Sequence, residues 1–503
     1  MNEMNSRRMI KLADSTLSQI NSPNIQLPGF DHSKLPVKVL QFGTGVLLRG
    51  LCDHVIDKAN RAGIFNGRVT VIKSTNTGST DAFADQDNLY TVQLKGIQNK
   101  ELVDTSTINT SIAKVLSAKD EWDAILKEAE NPELKVIISN TTEVGLQLVK
   151  EDIGQQPPVS FPGKLLALLH HRYQKMGGDE ASGLVIVPTE LLPDNGTILK
   201  SIIKELSAFN QLDKAFESWV DQHNFFCNSL VDRIVTGKPS EKDLQLFEQT
   251  NGYSDDLLIV AEPYCLWAIE GNEKVRSILS FEQADNGVFV IPDIELNREL
   301  KLRLLNGTHT LSCAAAFVSG FDVVNVATND DRFTAFLESL MSEIRAAMPV
   351  KVDEKMAAQF AEGVLDRFKN PYIEHLWINI AQQYTTKIIT RVLPILKQHY
   401  KLYNSAPVTI AKGFAAYIYL ISKVQQSGNE YHILHNDTQY AFKDDKVGPL
   451  VEKYRSYPSS QIAAEIFGLE DIWGEDLNNL PNWADTVQHY FNKLNNGELI
   501  INE

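Results

Sequence analysis

Ten residues near the middle of the chain, KLRLLNGTHT from Lys301 to Thr310, place an amine, an amide and an imidazole at offsets of zero, five and eight. Lysine and histidine side chains transfer protons, and an asparagine amide stabilises an oxygen that gains negative charge. At roughly 100° per residue, Lys301, Asn306 and His309 lie near 0°, 140° and 80° around an α-helix. A lysine acts as a general base when burial lowers its pKa, and the surrounding leucines favour burial. A packed helix that carries three polar residues is the alternative interpretation.

Composition favours a large globular protein with two domains. The chain has 503 residues, of which 43% are hydrophobic and 22% are charged. At about 150 residues per domain, the length predicts two or three domains, and we expect two large ones. The net charge of −16 opposes attraction to nucleic acid or to an anionic membrane. We therefore expect no nucleic-acid or membrane partner, and the sequence indicates no obligate protein partner.

The cysteines and the N-terminal segment favour a cytoplasmic location. Cys52, Cys227, Cys265 and Cys313 are widely scattered and form no C-x-x-C pair, so neither a disulfide framework nor a structural zinc site is expected. The N-terminal segment lacks the apolar core of a secretion signal, and no apolar run approaches the ~18 residues of a membrane span.

Strands and helices alternate along the first part of the chain. Residues 1–36 contain three prolines and are expected to form an irregular extension. The pattern then predicts a strand at 37–42, a glycine turn, a helix and a second strand at 69–73, which together form a βαβ unit. Further predictions are helices at 120–129 and 162–173 and strands at 135–139 and 184–187. This rhythm indicates an open, mostly parallel α/β sheet.

From about residue 295 onward the periodicity is helical. Predicted helices cover 301–318, 332–348, 353–368, 373–396 and 410–425, with no clear strand between them. The fold class is therefore α/β, with a dinucleotide-type domain at 1–295 followed by an all-helical domain at 296–503.

The segment QFGTGVLLRG occupies the position of a dinucleotide fingerprint. Gly43 and Gly45 follow the first predicted strand and open a helix, where backbone N–H groups can approach a pyrophosphate. The third glycine of the full pattern is absent because position 48 is Leu. The second strand ends at Lys73, where an acidic residue would favour NAD, so the residues alone leave NAD and NADP open. Thr142 and Glu143 follow the 135–139 strand at the expected ligand crevice, although Glu143 is equally suited to cap the next helix.

Several segments together resemble the mannitol dehydrogenase family of polyol-specific long-chain dehydrogenases. They are QFGTGVLLRG, TTEVG, LLPDNG, VDRI, EPYCLWAIEG, the K-x4-N-x2-H helix and RFKNPYI, in the family's order. The resemblance covers most of the chain and is strongest to a branch that acts on sugar acids. It implies a Rossmann-type N-terminal domain and a helical C-terminal domain. It also implies metal-independent, reversible hydride transfer between NAD and a substrate hydroxyl.

The resemblance also implies roles for individual residues. Lys301 would be the general acid/base, Asn306 would polarise the carbonyl oxygen, and His309 would orient the substrate or tune the lysine. The cofactor would contact residues from two segments, namely Phe42, Gly43, Gly45, Arg49, Thr142 and Glu143. Where the family carries an Asn before its L-P-x-N-G segment, this chain has Leu191, so either Asn195 takes over or the oxyanion has one donor fewer.

A sugar-acid substrate carries a carboxylate, so a cation is expected in its site. Arg367, His375 and Lys387 are the candidates, and Pro371 argues against one continuous helix through them. Asp232 and Arg233 either bind substrate or form a structural ion pair. A sugar acid of different stereochemistry and a substrate without the carboxylate are alternatives within the same family.

Two other classes of protein are alternatives to this family. A zinc-dependent polyol dehydrogenase or sugar isomerase needs a His/Cys/Glu cluster, and the H-x-x-H pair at His432 and His435 lies in a predicted loop without a third ligand. We therefore expect no metal. A non-catalytic nucleotide sensor on the same fold is the second alternative, and it would not depend on Lys301.

Overall fold

A computed structural model describes residues 9–75, 79–141, 145–436 and 438–502. The chain forms two units. The first comprises Met1–Lys95 and Leu102–Ile294, and the second comprises Gly96–Glu101 and Glu295–Glu503.

A six-stranded parallel sheet organises the first unit. In chain order its strands are Val37–Phe42, Arg68–Lys73, Ile112–Ser117, Val136–Ser139, Val185–Pro188 and Phe225–Phe226. Their order across the sheet is 3-2-1-4-5-6, which is the Rossmann order. The order reverses between the first and fourth strands, and a ligand crevice lies beyond the carboxyl ends of the strands at such a reversal.

Both faces of this sheet are buried, as its near-continuous apolar strands predict. Val39, Val71 and Ile138 pack into one apolar cluster, whereas Leu40 and Ile137 pack into another. Because successive side chains point to opposite faces, the two clusters are the two sides of one sheet. The Rossmann-type prediction for this part of the chain is confirmed.

The N-terminal extension is more ordered than its prolines indicated. Ile10–Lys11 pairs with Tyr253–Ser254, and Ile25–Gln26 pairs with part of Glu101–Asn109. Leu12 is fully buried. The expectation of an irregular segment was therefore wrong for these residues, because isolated apolar side chains here complete sheets formed by distant parts of the chain.

The remaining strands of the first unit form smaller sheets. One contains, in spatial order, Val235–Gly237, Ile259–Ala261, Tyr90–Gln98, Glu101–Asn109 and Ile25–Gln26, and another contains Ser229–Asp232, Leu266–Glu270 and Val288–Ile291. The helices of the unit are Val46–Gly50, Cys52–Arg61, Asp81–Asp85, Trp122–Glu128, Phe161–Met176, Asn195–Phe209, Lys214–His223, Glu241–Asn251 and Glu273–Ile278, with short 3-10 turns at Asp14–Gln19, His32–Lys34, Glu180–Ser182 and Ser280–Ala284.

The second unit is helical around one apolar core. Its α-helices are Glu295–Leu300, Thr308–Val318, Val324–Ala327, Asp331–Ala346, Glu354–Phe368, Trp377–Ile380, Tyr384–Lys387, Leu393–Tyr403, Val408–Ser422, Val447–Ser456, Ile462–Phe467, Glu470–Trp473 and Trp483–Asn495. Two π-helical segments, Lys301–Gly307 and Ile388–Val392, and 3-10 turns at Ser459–Gln461, Leu477–Asn479 and Ile500–Asn502 complete the helical elements.

The structure corrects the sequence prediction in two places here. Val424–Ser427, Glu430–His435 and Thr438–Ala441 form a small antiparallel sheet, so the segment HILH is a strand and not a loop. The predicted helix 373–396 is broken, because Gln383 adopts a left-handed φ of 51° and Leu376 bridges to Val323. Among the described residues, none of the helices combines the length and apolar character that a bilayer crossing requires.

Candidate functional site

The segment with the candidate catalytic residues is a π-helix flanked by two α-helices. Glu295–Leu300, Lys301–Gly307 and Thr308–Val318 follow one another without a break, and we call them the π-containing helix. Hydrogen bonds in a π-helix join residues five apart, so Lys301 and Asn306 lie on the same face, one turn from each other. The expected 140° separation was therefore wrong, because it assumed α-helical geometry throughout.

A second π segment, Ile388–Val392, is tied to the first by Arg303. Pro394 has no N–H group, so the carbonyl of Thr390 four residues earlier has no α-helical donor. Arg303 Nη1 donates to this carbonyl at 2.6 Å and to the carbonyl of Arg391 at 2.9 Å. Glu299 holds the same guanidinium through two further hydrogen bonds, at 2.9 and 2.8 Å. This buried pair fixes the two π segments relative to each other.

Tyr384 fixes the next turn of the π-containing helix. Its hydroxyl donates to the carbonyl of Thr310 at 2.7 Å and accepts from the N–H of Ala314 at 3.0 Å. These two backbone groups would pair with each other in a regular α-helix. A side chain thus replaces one helical hydrogen bond directly after His309.

His309 lies in an aromatic enclosure. Its ring stacks on Phe368 at 3.9 Å, and the rings of His375 and Trp377 meet it edge-on at 5.4 and 6.0 Å. Burial lowers the pKa of His309 well below its usual value, and nearby basic side chains add to the effect; they are His375, Arg367, Arg391 and Lys387. The imidazole is therefore neutral near pH 7. Its Nε2 is buried and has no hydrogen-bond partner in the described part of the chain.

The predicted cations therefore come together around His309. Arg367 is 9% exposed at the end of the helix Glu354–Phe368. Burial lowers the pKa of His375 and of Lys387, and Lys387 Nζ donates to the carbonyl of Ile380 at 2.8 Å.

Arg391 belongs to this group, although it was not among the predicted site residues. It lies on the second π segment, and its Nη1 donates to Thr310 Oγ1 at 3.3 Å. Burial lowers its pKa to about 10, so the guanidinium stays charged near pH 7. Its spacing of four residues from Lys387 was the available signal, because such residues lie on one helix face.

Lys301 and Asn306 are both half-buried. The backbone carbonyl of Asn306 accepts from Thr310 Oγ1 at 2.7 Å. Within the described chain, the Asn306 side-chain amide makes no hydrogen bond to protein, so its N–H groups can reach a ligand oxygen. An amine, a free amide and a neutral imidazole together can transfer a proton and stabilise an oxyanion.

In the first unit, the glycine turn at 43–45 stands at the reversal of strand order. Gly43 has a φ of 130°, and a Cβ there would lie 3.0 Å from Leu48 Cδ1 and 3.1 Å from the carbonyl oxygen of Asn140. A Cβ on Gly45 would meet nothing within 4 Å, so this position faces open space at the start of a helix. Such a turn fits the close approach of a dinucleotide pyrophosphate.

Other predicted cofactor residues have structural contacts. The Phe42 ring packs on Phe161 at 5.0 Å in the core. Arg49 is 9% exposed, and its Nη1 donates to the carbonyl of Leu257 at 2.7 Å. Their cofactor contacts remain predictions, and Thr142 and Glu143 lie outside the described residues.

A buried polar pair lies beneath the glycine turn. Gln41 Nε2 donates to Asp53 Oδ2 at 3.1 Å and to the carbonyl of Gly43 at 3.3 Å. Burial raises the pKa of Asp53 to about 7. The carboxyl is therefore poised to titrate near neutral pH.

The environment of Asn195 differs from the one expected of a substrate-binding residue. It is fully buried, and its Nδ2 donates to the carbonyls of Pro188, Glu190 and Ser229 at 3.0–3.1 Å. Its Oδ1 accepts from the N–H groups of Gly196 and Ser229, both at 2.9 Å. The amide has no hydrogen-bonding capacity left for substrate, so the expected substrate role was wrong.

Arg233 is also engaged within the first unit. Its Nε and Nη1 donate to the carbonyls of Glu262 and Gly50, both at 2.9 Å, and it is 6% exposed. These contacts indicate a structural role. Asp232 ends the strand Ser229–Asp232 and is half-buried. Across the described ranges, no group of three or more His, Cys, Asp or Glu side chains is arranged to hold a metal ion.

Comparisons with known proteins agree with this architecture. The model of the mannitol dehydrogenase Rossmann domain matches residues 37–282, and that of the mannitol dehydrogenase C-terminal domain matches residues 293–495. An altronate oxidoreductase of Halalkalibacterium halodurans is 37% identical, with 91% of each chain covered. An altronate oxidoreductase of Bacillus subtilis is 34% identical, covering 92% of this chain and 94% of the relative.

Solved structures share the fold. Mannitol 2-dehydrogenase of Pseudomonas fluorescens, in a ternary complex with NAD and D-mannitol, matches with a TM-score of 0.67 at 20% identity, covering 97% of this chain and 98% of that one. A substrate-free D-sorbitol dehydrogenase matches with a TM-score of 0.78 at 18% identity, covering 98% of this chain and all of that one.

Proposed function

Because this chain belongs to the mannitol dehydrogenase family, and is thus a nicotinamide-dependent dehydrogenase of a polyol or sugar acid, we propose that it interconverts D-altronate and D-tagaturonate with NAD and NADH. The main observation in favour of a sugar acid as the substrate is the group of basic side chains around His309, in a chain whose net charge is −16. Altronate carries a carboxylate that mannitol lacks, and cations that are buried or half-buried recognise such a group. The reaction would serve hexuronate catabolism.

Three side chains of the π-containing helix would divide the chemistry. A nicotinamide cofactor, when bound, would supply the hydride that reduces the carbonyl carbon of tagaturonate. Lys301 Nζ donates a proton to the carbonyl oxygen and takes it back in the oxidative direction. The Asn306 amide donates a hydrogen bond to the same oxygen while its negative charge develops. The neutral His309 offers Nε2 to a substrate hydroxyl.

The cofactor would be held by the first unit. The glycine turn leaves room for the pyrophosphate. The preference for NAD over NADP rests on family resemblance, because the second strand ends at Lys73, a residue compatible with a 2′-phosphate. Residues 1–295 would thus form the cofactor domain and residues 296–503 the catalytic domain.

A substrate panel tests the proposal. NADH and NADPH are each combined with tagaturonate, fructuronate and fructose, and absorbance at the nicotinamide band is followed. We expect the highest kcat/KM for tagaturonate with NADH. Fructuronate as the best substrate would indicate the other uronate epimer, and fructose as the best substrate would refute the carboxylate argument. Activity that survives a strong chelator separates this mechanism from zinc-dependent dehydrogenases.

A further inference from the structure

The half-buried Arg391 differs in its charge balance from Arg303, the buried arginine of the first π segment. Arg303 has its carboxylate partner in Glu299, at 2.8 Å. Arg391 donates to the neutral hydroxyl of Thr310, and within the described residues no carboxylate pairs with it. An uncompensated buried charge destabilises a fold unless a ligand of opposite charge returns the lost interaction.

Lys387 adds a second positive charge near Arg391. Its Nζ hydrogen-bonds to a backbone carbonyl and not to an acid. Asp444 acts on the Lys387 pKa from a distance, but within the described residues it forms no ion pair with Lys387, and its Oδ2 accepts instead from the N–H and the hydroxyl of Thr385, both at 2.7 Å. Two positive charges four residues apart thus face one short stretch of the π-containing helix.

The anchor of Arg391 also fixes its position relative to the candidate chemistry. Thr310 follows His309 directly, and its Oγ1 donates to the carbonyl of Asn306 at 2.7 Å. The guanidinium is therefore held at the turn that joins Asn306 and Thr310, and it lies near enough to His309 to contribute to the lowering of the imidazole pKa. A planar guanidinium offers paired N–H groups that match the two oxygens of a carboxylate.

We propose that Arg391, supported by Lys387, binds the substrate carboxylate and makes the enzyme select sugar acids over the corresponding polyols. This inference rests on the proposed function and names the residue that gives it specificity. Arg303 serves as the brace that holds the backbone of Arg391 in place.

Binding measurements test the proposed function and the role of Arg391 separately. Calorimetry in the presence of NADH gives Kd for D-altronate and for D-altritol, which has CH2OH in place of the carboxylate. The proteins are the unsubstituted chain, Arg391→Gln, Arg391→Lys and the exposed control Arg455→Gln. We expect Arg391→Gln to weaken altronate binding about 100-fold more than altritol binding. Arg391→Lys keeps the charge without the paired N–H groups, so we expect a loss of about 10-fold. The control should match the unsubstituted chain.

Each contrary outcome has its own meaning. If the unsubstituted protein prefers altritol or binds neither compound, the proposed function fails. If it prefers altronate and Arg391→Gln retains that preference, the inference about Arg391 fails. An equal loss for both ligands would show a structural role and would also overturn it. Should Arg391→Gln not fold, as judged by circular dichroism, Arg391→Lys decides, and unchanged selectivity in that variant contradicts the role of the guanidinium.

Discussion

The carboxyl edge of the parallel sheet and the π-containing helix use polar side chains in opposite ways. At the sheet edge, Asn195 is fully hydrogen-bonded to the protein, and the feature that fits a cofactor is the backbone at Gly43. On the helix, His309 Nε2 is buried without a partner among the described residues, and the half-buried Asn306 amide makes no hydrogen bond to them. Buried polar groups are normally paired, so the contrast between Asn195 and His309 distinguishes a side chain that serves the fold from one that can bind a ligand. Gln41 Oε1 and Asp53 Oδ1, beneath the glycine turn, also lack a partner among the described residues.

The largest expected effect tests whether Lys301 is part of that site. Lys301→Ala removes the proposed proton donor, so we expect kcat to fall about 10³-fold or more, while the separate glycine turn still binds NADH. Stopped-flow absorbance measures hydride transfer, and nicotinamide fluorescence measures cofactor binding. Near-normal turnover would refute the assignment and favour a nucleotide sensor.

Substitutions of Asn306 and Asn195 test the difference between the π-containing helix and the sheet edge. Asn306→Ala should lower kcat about 100-fold, because one oxyanion donor is lost, and should change the free energy of unfolding by less than about 1 kcal/mol. Asn195→Ala should lower that free energy by about 3 kcal/mol, because buried backbone groups lose their partner. Steady-state kinetics and urea denaturation measure the two quantities. If Asn195→Ala has the same free energy of unfolding as the unsubstituted protein, the structural role of Asn195 is contradicted.

The smallest expected effect concerns the pair beneath the glycine turn. Folding raises the pKa of Asp53 from about 3.8 to about 7, so between these values the folded state holds a proton that the unfolded state has released. The contribution of Asp53 to stability is therefore full below pH 4, falls as pH rises, and is lost above pH 7.

Asp53→Asn removes this titration. We expect the stability of the variant, relative to the unsubstituted protein, to rise by about 2 kcal/mol between pH 5 and pH 8 and to level off above that. Denaturation curves across this range measure the difference. A pH-independent difference would show that Asp53 is ionised throughout, and the sheet edge would then also contain an uncompensated charge.

Local sequence patterns predicted much of the fold. The strand Val37–Phe42 has the predicted limits, and three further predicted strands of the parallel sheet differ from the structure by one residue at one or both ends. The sheet strands Ile112–Ser117 and Phe225–Phe226 were not predicted. The helical character of the second unit is likewise confirmed. These predictions succeeded because an apolar run bounded by turn residues, or an apolar stripe at helical spacing, depends on neighbours in sequence.

The candidate site was predicted less completely. His309 and the cations around it were named from sequence motifs, but Arg391 was missed and Asn195 was misassigned. Both errors concern hydrogen-bond partners distant in sequence, since Asn195 binds Ser229 and Arg391 binds Thr310. An amide that serves the fold and an amide that serves a ligand have the same appearance in a sequence.

The sequence by itself determined the alternation of strands and helices, the glycine turn and the order Lys301, Asn306, His309, because these depend on residue type and short spacing. Tertiary structure decided that the segment of Lys301 is π-helical, that Tyr384 replaces a helical hydrogen bond, and that Arg391 lies beside Thr310. The physical reason is that burial and hydrogen-bond partnership are properties of the packed chain. They determine which polar groups keep capacity to bind a ligand.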